Sequence, residues 1–141
     1  MTARRECGSA TIEAVIGLPA FILFVGLIIF GGRTATAHGA VESAAADAAR
    51  SASIARTSDH ARTDAHAAAR ASLANQQIDC TRITVEVDVS GFAKRVGEPG
   101  SVDVTVTCRV DLSDLAVPGV PGARTIRAHT SSPIDTWTER S

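Results

Sequence analysis

Few side chains in this sequence stand at spacings that could support chemistry, and elementary geometry removes most of them. His60, Asp64 and His66 invite a metal reading, because His60 and Asp64 share a helix face at i,i+4. His66 is six positions from His60 and points elsewhere, and no fourth ligand is suggested. These residues, with Asp59 and Arg62, are therefore read as a solvated helix face. Ser, His and Asp all occur, but no Gly-x-Ser-x-Gly elbow gives a nucleophile its context. There is no phosphate-binding glycine loop and no CxxC. The expectation is no catalytic residue, no metal, no cofactor and no enzyme activity. What stands out instead is Glu13, a single carboxylate inside an apolar run.

That run extends from Ile12 to Phe30, and Glu13 is its only ionisable group. Its length gives about 28 Å of α-helix, close to the roughly 30 Å hydrocarbon core of a bilayer. An ionised acid at mid-bilayer costs roughly 2.5–3.5 kcal/mol, and less near the interface, so a carboxylate here implies a use. Pro19 removes one helix hydrogen bond and predicts a kink. Gly17 and Gly26 lack side chains and would let another helix approach closely, although no strict GxxxG pair is present. Arg4 and Arg5 precede the run and Arg33 alone follows it closely. The positive-inside rule then predicts a single-pass protein of the cytoplasmic membrane, N-terminus inside and the remainder exported.

Cysteine usage fits that topology. Cys7 falls on the inner side, while Cys80 and Cys108 fall on the exported side, where a disulfide can persist. Of the four phenylalanines, Phe21, Phe24 and Phe30 lie in the apolar run, and Phe92 and Trp137 are the only aromatics outside it. A small region with so few large side chains buries little surface and needs a staple. Closing the loop between Cys80 and Cys108 is worth about 3.5 kcal/mol in the chain-entropy model. The net charge of −1 and the absence of a basic patch with interleaved aromatics argue against nucleic acid as a partner.

Beyond the run, Arg33 to Arg56 is rich in alanine, the best helix former, so one nearly continuous helix is expected over residues 10–56. Val41, Ala45, Ala48, Ala52 and Ala55 recur at spacings of four and three and draw a narrow small-residue stripe. That stripe would bury little within its own domain, yet permit close contact with another helix. Asp47 and Arg50 form an i,i+3 surface pair. A second helix is predicted from Asp59 to about Asn75, capped by Ser58, with Ala61, Ala65, Ala68 and Ser72 or Leu73 on its small-residue face. The texture then switches to period two. Ile83, Val85, Val87 and Val89 alternate with polar residues, as do Val102, Val104, Val106, Cys108, Val110 and Leu112. Gly97-Glu98-Pro99-Gly100 supplies turn chemistry between them. Pro118-Gly119-Val120-Pro121-Gly122 reads as a loop before a third strand from Ala123 to about Thr130, and the tail with Pro133 and Trp137 frays unless Trp137 packs. The fold class is α+β: a long N-terminal helix, a short second helix and a small antiparallel sheet.

The stretch Gly8-Ser9-Ala10-Thr11-Ile12-Glu13 before an apolar helix resembles the cleavage site of type IV prepilins. Arg5-x-x-Gly8-Ser9-x-x-x-Glu13 followed by Leu18-Pro19 is similar to the TadE-like pseudopilins of the tight-adherence (Flp pilus) system, which join this N-terminus to an Ala-rich helix and a short β-rich tail. Ala14 stands where many members of that family carry an aromatic residue. The resemblance implies a pilin-like arrangement: a cytoplasmic leader at 1–8, a transmembrane helix at 9–32, an Ala-rich exported helical region at 33–77 and a β-rich exported domain at 78–141. It also implies that a prepilin peptidase cuts after Gly8, leaving Ser9 as the new N-terminus and Glu13 as the fifth residue. The implied partners are that peptidase, other pilin subunits, the inner-membrane assembly platform and the lipid bilayer, with Gly17, Pro19, Gly26, Ala45, Ala48 and Ala52 as helix-packing positions. A domain beyond the helix implies a minor pseudopilin.

Two other readings stay open at this point. Ala35-Thr36-Ala37 has the small-x-small form of a signal-peptidase site, which would release a soluble binding domain starting at His38. An unprocessed single-span envelope protein is the other.

Overall fold

The computed structural model describes residues 7–115, 118–119, 122–137 and 139. Its longest element is α1 (Cys7–Ser53), which continues through Pro19 without interruption. Polar residues enter the helix at Thr34 and Thr36, whose hydroxyls donate to the carbonyls of Phe30 and Gly32 one turn back (2.9 and 3.0 Å). This back-bonding satisfies the hydroxyls without breaking the ladder. Arg50 sits in the last turn, where a cation suits the negative end of the helix dipole.

The second helix, α2 (Ser58–Asn75), is capped by Thr57, whose Oγ1 accepts the His60 N–H at 3.2 Å. The cap therefore lies one residue before the expected Ser58. Thr57 takes the extended backbone that a cap needs (φ −128°, ψ 151°), and Ser58 is already helical. At the other end Ile78 N–H bonds to Leu73 C=O and Gln77 N–H to Ala74 C=O (3.1 and 3.0 Å). This Schellman closure places Gln77 in the left-handed region at φ 55° and turns the chain into the sheet. The buried face of α2 is Ala61, Ala65, Ala69, Ser72 and Leu73. Ala69 replaces the expected Ala68, because a spacing of four follows the partner helix here.

Strands β1 (Cys80–Asp88), β2 (Gly100–Asp111) and β3 (Ala123–Ile134) form one antiparallel sheet in the order β1-β2-β3. β3 runs four residues beyond the expected Thr130. Pro133 is compatible with it because β3 is an edge strand. Of the expected loop at 118–122, Pro118 and Gly119 form a turn, and Val120 and Pro121 lie outside the described residues. The connection from β1 to β2 contains a 3₁₀ turn, Ser90–Ala93, that brings Phe92 into the core. It requires glycine at 91, where a Cβ would collide with Ser101 O and stand 2.8 Å from Ser101 N.

The core lies between the second half of α1 and one sheet face. Val102, Val104, Val106 and Cys108 of the central strand are fully buried. Ala44, Ala45, Ala48, Ala49 and Ala52 of α1 belong to the same buried cluster, as do Ala61, Ala65 and Ala69 of α2, which packs chiefly against α1. The sequence reading of this alanine stripe is thereby corrected: it is wider than expected and packs within its own domain, with Val41, Ala45, Ala48 and Ala52 buried and Ala55 partly so. Small side chains let α1 take both α2 and the sheet as neighbours. Asp47, although exposed, accepts a 2.7 Å bond from Ser72 Oγ of α2.

Cys80 and Cys108 are joined by a disulfide, with Cα atoms 5.5 Å apart and 28 residues of separation. Cys80 opposes Val110, and Cys108 opposes Ile83, so the bridge runs diagonally across the ladder at the start of β1.

Two stability predictions follow from these contacts. Gly91→Ala should destabilise the fold by about 1–3 kcal/mol, because a backbone oxygen cannot move aside as a side chain can; the midpoint of chemical denaturation measures it. Reduction of the disulfide should lower stability by about 3.5 kcal/mol. A denaturation curve unchanged by reductant would contradict this.

Candidate functional site

The first half of α1 presents apolar side chains all round. Its large hydrophobic residues from Ile12 to Ile29 are 37–68 % exposed, and none is covered by the rest of the chain. Such a surface in water is unfavourable at about 25 cal/mol per Å² and needs a non-aqueous environment or other helices around it. Its most apolar 18-residue window has a mean hydropathy of 2.6, and it is the one described helix long and apolar enough to cross a membrane. It has the character of a membrane anchor.

Within it, Glu13 is exposed among Ile12, Val15 and Ile16. Gly8 and Ser9 belong to the first turns of α1. Residues 1–6, including Arg4 and Arg5 of the expected leader, lie outside the described residues. Gly17 is open, with nothing within 4 Å of a Cβ built there, and Gly26 is half-buried. Gly17, Pro19 and Gly26 thus lie on the unpartnered half of α1. Ala45, Ala48 and Ala52 lie on the other half, packed inside the head formed by α2 and the sheet. One helix carries both sets, but they face different environments.

The junction between the halves is fastened at its first polar residue. Arg33 Nη1 bonds to Asp114 Oδ2 at 2.7 Å, joining α1 to the segment after β2 across 81 residues. Both side chains are more than half exposed, so the pair contributes little stability, about 0–1 kcal/mol. Its geometric consequence is larger, since it orients the head where the apolar segment ends. About 30 Å further along α1, Ser132 Oγ of β3 donates to Ser53 Oγ at 3.1 Å. α1 is therefore tied at one end of the head to the turn after β2 and at the other to β3. Sequence reasoning missed both ties because neither has a local spacing signal.

Beside the junction lies an open cleft of about 740 Å³, lined by Arg33, Thr36, Asp79, Val110, Leu112 and Asp114 among others. Among the described residues no group of three or more His, Cys, Asp or Glu side chains converges on a metal position. His60 and His66 are exposed and Asp64 is half-buried, and Asp59 pairs loosely with Arg62 at 4.0 Å. The outer sheet face is polar, with Arg127 bridged to Glu86 at 3.0 Å and His129 3.5 Å from Asp103.

Two exposed carboxylates close turns at opposite ends of the sheet. Asp88 accepts the Ser90 N–H at 2.9 Å, and this bond, then the Ser90 hydroxyl and the more distant Arg62, hold its pKa below the ordinary value. Asp111 is lowered by the Ser113 hydroxyl and then its N–H, the latter at 2.9 Å. A carboxyl with a depressed pKa stabilises the fold in full above its unfolded pKa of about 3.9. That contribution disappears as pH falls through the lower folded value. Acid unfolding of Asp88→Asn and Asp111→Asn should accordingly be less steep below about pH 4 than in the parent. Melting curves across that range check it.

Comparison with known proteins adds one finding. No curated protein and no solved structure matches the chain. Residues 8–50, from Gly8 at the start of α1 through its apolar half and most of its alanine-rich half, match the family described as TadE-like protein.

Proposed function

We propose that the chain is a minor pseudopilin, a structural subunit of a tight-adherence (Flp-type) pilus or related secretion system. The observation that carries this reading is the TadE-like match over 8–50 on a helix whose apolar half is uncovered and whose other half is built into a folded head. A major pilin of that system is little more than the helix; this chain adds α2 and a disulfide-stapled sheet. The role assigned is protein packing, without catalysis or cofactor.

In this reading a prepilin peptidase cuts after Gly8 on the cytoplasmic side. Ser9 then carries a free amine, and Glu13 of a neighbouring subunit pairs with it. Two charges that hydrocarbon disfavours would so satisfy each other, whereas removing one leaves the other unpaired at a cost of about 3–5 kcal/mol. The open Gly17 and the half-buried Gly26 are where a neighbouring helix approaches most closely.

The test is the N-terminus of the chain from cell envelopes, by intact mass and terminal sequencing. A start at Ser9 is expected, with the leader retained in Gly8→Val. A start at His38 would mean release by signal peptidase and a soluble domain, and an intact leader an unprocessed anchor; either overturns the proposal. Glu13→Ala should keep Ser9 as the terminus while incorporation into assembled material falls by at least about tenfold.

A further inference from the structure

β2 runs towards the apolar half of α1 and β3 runs away from it, so the connection between them lies at the base of the head. Both strand ends meet α1 where the apolar run stops. Asp114, just after β2, is tied to Arg33 at 2.7 Å. Arg124, at the start of β3, lines an open groove with Phe30, Gly31, Thr34 and Ala35. The neck of the connection is closed by the Leu112 N–H, which donates to Gly122 O at 2.8 Å. The Ser113 N–H donates to Asp111 Oδ1 at 2.9 Å, so the chain leaves β2 along a fixed path. It reverses at Pro118 and Gly119, both exposed, with Gly119 at φ 81°, as the second central residue of a type II turn requires.

From Leu115 to Ala123 the sequence holds only Leu, Ala, Val, Pro and Gly, without one polar or ionisable side chain. The connections at the other end of the head are unlike it: Ser90, Lys94, Arg95 and Glu98 stand between β1 and β2, and Arg56 and Thr57 between α1 and α2. Surface turns are normally built from polar residues, and a run of apolar ones marks a surface that meets something other than water. Its level is set by α1. Phe30 is the last large apolar residue of the run and puts the hydrocarbon boundary there. Arg33 is about 4.5 Å further along the helix, and the headgroup layer adds about 5–7 Å on each side of the hydrocarbon. Asp114, and with it the neck of the connection, therefore stands within the headgroups, its charge compensated by Arg33.

We propose that the β2–β3 connection, led by the Pro118–Gly119 turn, enters the bilayer surface beside α1, so that the chain meets lipid at two places. The inference rests on the membrane-anchor reading of α1. Lipid is the occupant because the connection continues the apolar surface of α1 at the same level, and an interfacial apolar face sits about 5–10 Å into the boundary between headgroups and acyl chains. A lone helix is free to turn about its own axis. A second contact off that axis fixes which side of the head faces the membrane, and the continuous α1 keeps the far end of the head, with Trp137, about 30 Å away. A subunit that leaves the bilayer for an assembly must then withdraw this turn together with the helix.

The full chain is reconstituted in vesicles of phosphatidylcholine and phosphatidylglycerol. Trp137 is the only tryptophan and there is no tyrosine, so the parent emission reports on the far end of the head alone. It should stay at the wavelength of a water-exposed indole and be insensitive to lipids brominated on the acyl chain. In Pro118→Trp combined with Trp137→Phe, emission should shift to the blue. It should be lost with bromine near the top of the acyl chain and less so with bromine near its end. Tryptophan itself favours the interface, so the unaltered chain is tested as well. In nanodiscs of the same lipids, a spin-labelled lipid should broaden the Gly119 amide resonance and leave the Trp137 indole N–H sharp. Three results would each overturn the proposal: no quenching at position 118 with a sharp Gly119 amide, equal quenching at 118 and 137, or a blue shift that follows the protein-to-lipid ratio instead of bromination, which would make a second copy the occupant. Flotation of the vesicles separates this contact from the anchor. A chain that floats while position 118 stays in water removes the contact and leaves the anchor; a chain that does not float removes both.

Discussion

Alanine on the second half of α1 is the constraint from which the rest of the head follows. A helix can share two large neighbours only if its side chains are short enough for both to approach, and Ala44, Ala45, Ala48, Ala49 and Ala52 meet that condition. α2 answers with Ala61, Ala65 and Ala69, so the two helices pack with little between their backbones. The sheet supplies the larger side chains of the core, the valines of β2 above all. Larger residues on α1 would push away either α2 or the sheet, since cores tolerate added volume poorly.

The same helix is both core element and apolar anchor, and this couples the head to whatever surrounds the first half of α1. No flexible linker intervenes between Phe30 and Ala37; α1 is continuous, and Thr34 and Thr36 bond to its own carbonyls. Arg33 and Asp114 then fix the head where the apolar segment ends. A displacement or rotation of the anchor is therefore carried into the head, which suits a subunit whose task is packing beside others.

A small sheet with few aromatics has little apolar area from which to draw stability. The disulfide at the start of β1, the close approach of Gly91 to Ser101 and the insertion of Phe92 compensate at opposite ends of the sheet. The alternation of valines in β2 decides which face is buried, and a slip of one residue would expose all of them together. Register is thus strongly specified although the core is small.

Period and composition in the sequence determined the elements: the apolar run, the alanine helix, the capped second helix and the two valine strands each have a local signature of propensity or spacing. Cys80 and Cys108 were legible as a bridge because nothing else in the expected exported part offered either a partner. The TadE-like resemblance was legible in Gly8, Ser9, Glu13 and the run behind them. The partner of the alanine stripe was decided only by tertiary structure, because small residues fit a neighbouring subunit or their own domain equally well and period cannot tell which. The bond of Asp47 to Ser72, the extension of β3 through Pro133 and the Arg33–Asp114 tie depend on segments 25 or more residues away. Trp137 shows the difference most plainly: its sequence neighbours suggest a loose tail, whereas the hydrogen bond from Gly97 to Thr136, made across the fold, ties the preceding residue to the β1–β2 connection.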